Sequence, residues 1–193
     1  MDEKEFKGVL GESLTELLLQ KNIHVYKQII RDLIIPAEDN KTTQIDNVLI
    51  TAKGIFVIEN KNLSGILKND ASGNWYSILN KETYPIRYNP ILQNEYHIKC
   101  LQRLLNKDKN IFYSFIVLGY NSINEINVQT NSNVKVIKID ELEQEIVNLL
   151  LNIKENKLSH EEIDDIYLKL KYNNYIKCLK ALFKLFSFIF LNL

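Results

Sequence analysis

The sequence predicts an α/β (α+β) domain in which a mixed β-sheet is flanked by helices, with a C-terminal helical extension. Three observations carry this. The chain opens on a helix-periodic segment, and two runs rich in Ile, Val and Phe then flank a short polar break ending at Gly54. Further on, Ile111 to Leu118 is a near-continuous apolar run, the pattern of a central strand buried on both faces. The full order, helix, several strands, helix, strand, strand, helices, is that of a sheet covered by helices.

In chain order, residues 2–21 read as a helix with Phe6, Val9, Leu10, Leu14, Leu17 and Leu18 as its apolar stripe, weakened locally by Gly8 and Gly11. Residues 23–36 read as a strand ended by Pro36, and a polar loop leads into the hairpin of 43–61. Gly65 to Trp75 holds a further strand and a turn at Asp70-Ala71-Ser72-Gly73, while 76–89 is mixed, with Pro85 favouring a loop or an edge strand. Asn89-Pro90 starts a helix that runs to about Asn106, Asn89 as its N-cap and Pro90 at the first helical position. Val134 to Ile139 is a second inner strand. Helices follow at 140–151 and 159–172, the latter opened by the capping box Ser159 and Glu162.

Composition sets outer limits. With 46% hydrophobic and 25% charged residues over 193 positions, the chain is ordinary for one globular domain with an appendage, which excludes wholesale disorder. The formal net charge is +0, so no global positive field announces a nucleic-acid partner, although a local basic patch stays open. Cys100 and Cys178 have no CxxC partners, which argues against structural zinc and for a reducing, cytoplasmic setting. His24, His97 and His160 lack metal-ligand spacing, and Met1 runs straight into Asp2-Glu3-Lys4-Glu5 with no signal peptide.

The chemistry lies in the hairpin. Asp46, Glu59 and Lys61 are set into apolar strands, where charge is expensive to place. Glu59 and Lys61 point to the same side because faces alternate along a strand. If the loop is Ala52-Lys53, or the four residues Thr51 to Gly54, Asp46 falls opposite Glu59 and shares that face; a three-residue loop breaks this unless a bulge restores it. Two opposed carboxylates repel and raise each other's pKa, and a divalent cation such as Mg²⁺ or Mn²⁺ relieves the repulsion. A neighbouring lysine suits the activation of water or the stabilisation of developing negative charge, so the pattern suggests metal-assisted phosphodiester hydrolysis. The blander readings are an edge-strand solvent face, or pairing of Asp46 and Glu59 with Lys61 and an arginine.

These residues resemble the nuclease-related domain, NERD. The resemblance rests on Gly11-Glu12, Gln44-Ile45-Asp46-Asn47-Val48-Leu49, Gly54 through Asn62, Gly65, Trp75 and Asn89-Pro90-Ile91-Leu92-Gln93-Asn94, in that order over about 8–118. It implies a restriction-endonuclease-like core of the PD-(D/E)xK nuclease superfamily and Mg²⁺-dependent hydrolysis of DNA. By the same resemblance Asp46 and Glu59 are metal ligands helped by Glu12, Lys61 is the catalytic lysine, and Gln93 is similar to the glutamine of a QxxxY motif. His97 stands where that motif has Tyr, and Ile45-Asp46 replaces Pro-Asp. Asn60 and Asn62 point away from Glu59 and are expected to cap or bond locally, but the Asn60 carbonyl is placed to give a metal an extra oxygen. Gln44 lies on the catalytic face, where it serves the site or satisfies a backbone group; Trp75 is expected to pack in the core.

The expected boundaries are 1–152 for the nuclease-like domain and 153–193 for the helical extension. Its end, Ile176 to Leu193, carries Lys177, Lys180 and Lys184 among Leu and Phe. It is shorter than the ~20 apolar residues of a spanning helix. Docking on its own domain or in a homodimer is favoured over contact with a membrane surface.

Overall fold

Helix α1 (Glu3–Asn22) leads into β1 (Lys27–Pro36) and the hairpin of β2 (Thr42–Thr51) and β3 (Gly54–Lys61); β4 (Gly65–Asn69), β5 (Trp75–Leu79) and β6 (Glu82–Ile86) follow. Then come α2 (Pro90–Leu105), β7 (Phe112–Leu118), β8 (Ile123–Asn127), β9 (Val134–Lys138), α3 (Leu142–Asn152) and α4 (160–174). This computed structural model describes residues 3–119, 123–128, 130 and 133–174.

The hairpin turn is Ala52-Lys53, the two-residue form of the expected loop, with Thr51 opposite Gly54 and Leu49 opposite Phe56. Gly54 is required there: its φ is +140°, and a Cβ would stand 2.4 Å from the Ile111 carbonyl oxygen. Around the hairpin a five-stranded mixed sheet forms in the order β1-β2-β3-β7-β9, antiparallel from β1 to β3 and parallel from β3 to β9. On one face, Val48, Ile50, Ile55 and Val57 pack with Ile98 and Leu101 of α2 and with Ile163 and Leu170 of α4. On the other, Leu49, Phe56, Ile58 and Phe115 pack with Leu19 of α1 and with Leu142 and Ile146 of α3. β3 and β7 are apolar nearly throughout because both their faces are covered.

A second mixed sheet, β6-β5-β4-β8, adds to the single sheet expected. Its strands are short, β5 and β6 are largely half-buried or exposed, and among the described residues β8 pairs with β4 alone, so no strong apolar run announces them. β5 and β6 join through Asn80 and Lys81 at φ 54° and 69°, the left-handed pair of a primed hairpin turn. Pro85 sits on β6, the edge strand, where a missing N–H costs no ladder bond.

Three further expectations need correction or completion. The apolar stripe of α1 is rotated: Val9, Leu10 and Leu17 are 44%, 56% and 43% exposed, while Thr15 and Leu19 are buried. The helix turns its 15/19 edge inward, where Leu14 and Leu18 of the expected stripe still pack against the core and Thr15 donates to Asn60 Oδ1 at 2.6 Å; Glu12 lies on the same edge. The strand expected from residue 23 begins at Lys27, and Ile23 is instead buried beside Leu19. At 152 the chain becomes polar without leaving the fold, since Leu158, Ile163, Ile166 and Leu170 belong to the α2-side core. The capping box of α4 forms, Ser159 N–H donating to Glu162 and Glu162 N–H to the Ser159 hydroxyl. Among the described residues no helix is long and apolar enough to cross a membrane. The tail at 176–193, with its dimer and membrane-surface expectations, lies outside the described residues.

Candidate active site

Helix α2 is docked before it contributes anything to the site. The Asn89 side chain accepts from the Ile91 and Leu92 N–H groups, and Pro90 takes the first helical position. Asn94, fully buried, donates to the Val57 carbonyl at 2.8 Å and to Ser114 Oγ at 2.9 Å, which clamps the first turns of the helix to β3 and β7. Gln93 and His97, one turn apart, then meet the end of β3. Lys61 Nζ lies 2.5 Å from Glu59 Oε1 and 3.0 Å from Gln93 Oε1. On the other side of the same carboxylate, His97 Nδ1 is 3.5 Å from Glu59 Oε2, inside ion-pair reach and too long for a good hydrogen bond. Both atoms are buried and without a hydrogen-bond partner among the described residues.

Asp46 enters where the hairpin opens. β2–β3 pairing stops at Asn47 and Ile58; one step further would set Asp46 opposite Glu59. There Asp46 Oδ2 accepts the Asn60 N–H at 2.7 Å. A strand residue's N–H and C=O point to the same side, so the Asn60 carbonyl also faces the Asp46 side, while the Lys61 carbonyl turns away to accept from Gly119. Strict alternation does not survive this point. Ile45 and Val48, three residues apart, lie in one core, as do Ile30 and Leu33 on the neighbouring strand. Between the latter pair Asp32 sits at φ +52°, left-handed for a non-glycine residue, opposite Asp46 in register. Asp46 therefore stands between the Glu59–Lys61 pair and a second acidic pair, Glu12 and Asp32.

The electrostatics follow from this crowding. Burial, then the Asp46 charge, pushes Glu59 up from 4.5 to about 7, against the pull of Lys61. Glu12 is likewise raised to about 7, by burial first, then by Asp46 and a hydrogen bond with Asp32. Asp46 is raised by burial, offset by the Asn60 N–H and Lys61. Burial, then the nearby Lys61, lowers His97 to about 4, so it is a neutral imidazole at pH 7.

Asp46, Glu59, Lys61, Gln93 and the backbone of Asn60 thus meet, and Glu12 from α1 lies close enough to Asp46 to feel its charge. The Asn60 side chain departs from expectation: it bonds Thr15 across to α1 rather than locally, because α1 covers that face of β3. Gln44 donates to Asp32 Oδ1 at 3.2 Å, and Trp75 is buried in the small core under the second sheet. Three residues escaped the reading from sequence. His97 offered only its i+4 spacing from Gln93, Asn94 its place beside Gln93, and Asp32 no signal, since a carboxylate within a strand reads as solvent-facing.

Whether this place suits a divalent cation is tested by its donors. They are hard oxygens, the Asp46, Glu59 and Glu12 carboxylates and the Asn60 carbonyl, which match Mg²⁺ or Mn²⁺, and Glu59 Oε2 is buried without a partner. Among the described residues no three His, Cys, Asp or Glu side chains already converge as a cation cage. The donor chemistry fits such a cation, with Glu12 the half-exposed member of the set.

The model of the nuclease-related domain, NERD, matches residues 7–119. An uncharacterized protein of Bacillus anthracis is 25% identical over 164 residues, covering 84% of this chain and 74% of that protein. No solved structure matches. The matched span runs from α1 to the end of β7 and takes in every residue of the cluster above; the chain belongs to the nuclease-related domain family.

Proposed function

We propose that the chain is a metal-dependent nuclease that hydrolyses DNA phosphodiester bonds by the PD-(D/E)xK mechanism. One observation carries this beyond the family: Glu59, 2% exposed and raised to about 7, is held against Lys61 beside Asp46. A fold keeps so costly a cluster where function uses the charge. Asp46, Glu59, Glu12 and the Asn60 carbonyl would hold Mg²⁺, with Mn²⁺ as substitute, and the cation supplies charge neutralisation for a phosphate under attack. The chain's own groups do the rest. Lys61 Nζ, oriented by Glu59 and Gln93, donates to the attacking water or to the charge that develops on phosphate. Gln93 holds the lysine from the helix side, and His97 closes the back of the Glu59 carboxylate.

Purified protein should cleave plasmid or linear DNA with Mg²⁺ or Mn²⁺ and not with EDTA, and Lys61→Ala and Asp46→Ala should abolish the cleavage. The same trace cleavage from wild type and both variants would sink the enzyme reading. A second reading, a non-catalytic module that binds nucleic acid or protein, is favoured by the lack of a ready three-ligand cage among the described residues. It predicts DNA binding in EDTA that Asp46→Ala leaves intact, with no cleavage under any cation.

A further inference from the structure

The stretch that leads into α2 presents a surface that the hydrolytic site does not use. β6 hands the chain through Arg87 and Tyr88 to the Asn89 cap. Tyr88 is 65% exposed and Leu92, in the first turn of the helix, 61%. The Arg87 guanidinium lies 5.3 Å over the Tyr88 ring. Among the described residues no carboxylate pairs with Arg87, although acidic side chains are as common as basic ones in the chain. The backbone beneath is pinned: Asn89 Oδ1 accepts from Ile91 and Leu92, and its Nδ2 donates to the Gly73 carbonyl at 2.9 Å. An exposed aromatic ring on a fixed backbone, beside a guanidinium with no carboxylate partner among the described residues, is suited to a ligand.

Its distance from the site sets what it fits. Tyr88 is five residues ahead of Gln93, whose Oε1 is 3.0 Å from Lys61 Nζ. Three helical residues at about 1.5 Å of rise and two non-helical residues at up to about 3.3 Å each put the Tyr88 backbone within about 11 Å of Gln93, roughly three stacked base steps of about 3.4 Å. A base inside a duplex has both faces covered by its neighbours. Only an unpaired or terminal base offers a free face to an aromatic ring, and its phosphate offers the charge that Arg87 lacks.

We propose that Tyr88 and Arg87 form a stacking platform for an unpaired nucleotide, so that the strand delivered to Lys61 is single-stranded at or next to the scissile phosphate. This rests on the reading of the neighbouring site as a phosphodiesterase. Tyr88 takes the base by its face, Arg87 takes the adjacent phosphate, and Leu92 borders the ring. Specificity for base identity is not expected, because every base has a π-face.

Binding of fluorescein-labelled oligo-dT and of a blunt hairpin duplex of equal length to the full chain, read by anisotropy in EDTA, tests this without cleavage. Wild type should bind oligo-dT more tightly than the duplex. Tyr88→Ala should weaken oligo-dT binding about tenfold with the melting temperature unchanged, Tyr88→Phe should bind as wild type, and Arg87→Ala should flatten the salt dependence by about one phosphate contact. Equal binding of the two probes, a Tyr88→Ala protein indistinguishable from wild type, or no binding at all overturns the proposal. The two readings fail separately. Cleavage lost in Lys61→Ala with no role for Tyr88 removes the platform and leaves the nuclease; Tyr88-dependent binding without metal-dependent cleavage does the reverse.

Discussion

Replacing Glu59 by Gln should stabilise the protein at alkaline pH, and the structure gives the size. The carboxyl titrates near 4.5 in an unfolded chain and at about 7 in the folded one, chiefly because it is buried. Below pH 4.5 it is protonated in both states and costs nothing. Between pH 4.5 and about 7 the unfolded chain releases the proton while the folded protein still holds it, so stability falls as pH rises, and above 7 the folded state carries an ionised, buried group. The displacement corresponds to about 3 kcal/mol. Gln keeps the shape and cannot ionise, so Glu59→Gln should melt about 6–12 °C above wild type at pH 8 for a domain of this size, with little difference at pH 4. Thermal melts by circular dichroism in EDTA, from pH 4 to 8, measure this. A variant that melts no higher than wild type at pH 8, or gains as much at pH 4, refutes the assignment of the cost to ionisation. The same substitution removes a proposed cation ligand, so the more stable protein should be the inactive one.

Three other outcomes are expected. Mn²⁺ should raise the melting temperature of wild type more at pH 8 than at pH 5, because it competes with protons for Glu59 and Glu12; Asp46→Asn should lose most of the effect, and an equal rise in both proteins would place the ion elsewhere. Asn94→Ala removes a donor from Val57 and Ser114 in a fully buried site and should cost about 2–4 kcal/mol in urea denaturation; a loss below about 0.5 kcal/mol would show that α2 is held by its apolar face alone. His97→Asn, whose amide nitrogen falls where Nδ1 was, should keep Mn²⁺ affinity by titration calorimetry, whereas His97→Phe should lose about 10- to 100-fold; equal affinities would make His97 a packing residue only.

The fold was legible wherever one physical rule acted alone. Continuous apolar runs marked β3 and β7 because both faces of those strands are covered, and Asn89-Pro90 marked α2 because capping is local chemistry. Legibility failed where tertiary contacts decided. The rotation of α1 depends on tertiary contacts, Leu19 with the core and Thr15 with Asn60, which no helical wheel contains. The second sheet is made of short strands whose pairing, not their composition, defines them, and Asn80-Lys81 reads as an ordinary polar pair until its two positive φ angles close the turn.

The site was half legible for a reason that bears on its chemistry. Strand parity places Glu59 and Lys61 together, and a two-residue turn brings Asp46 to the end of their ladder, so the hairpin alone yields a carboxylate pair and a lysine. Parity cannot yield the rest, because it breaks at Asp46. With both strands turning their faces there, and Asp32 held at φ +52°, Asp46 lies within the field of Lys61 on one side and of Glu12 on the other. The left-handed backbone at Asp32 and the lost β2–β3 pair at Asp46 are local costs, and the same break lets Ile30 and Leu33, and Ile45 and Val48, share one core. It also leaves Asp46 between the carboxylates of Glu12 from α1 and Glu59 from β3. Such a break beside an acidic cluster suits the proposed cation and phosphate site, and the Mn²⁺ melts of wild type and Asp46→Asn test whether it is used.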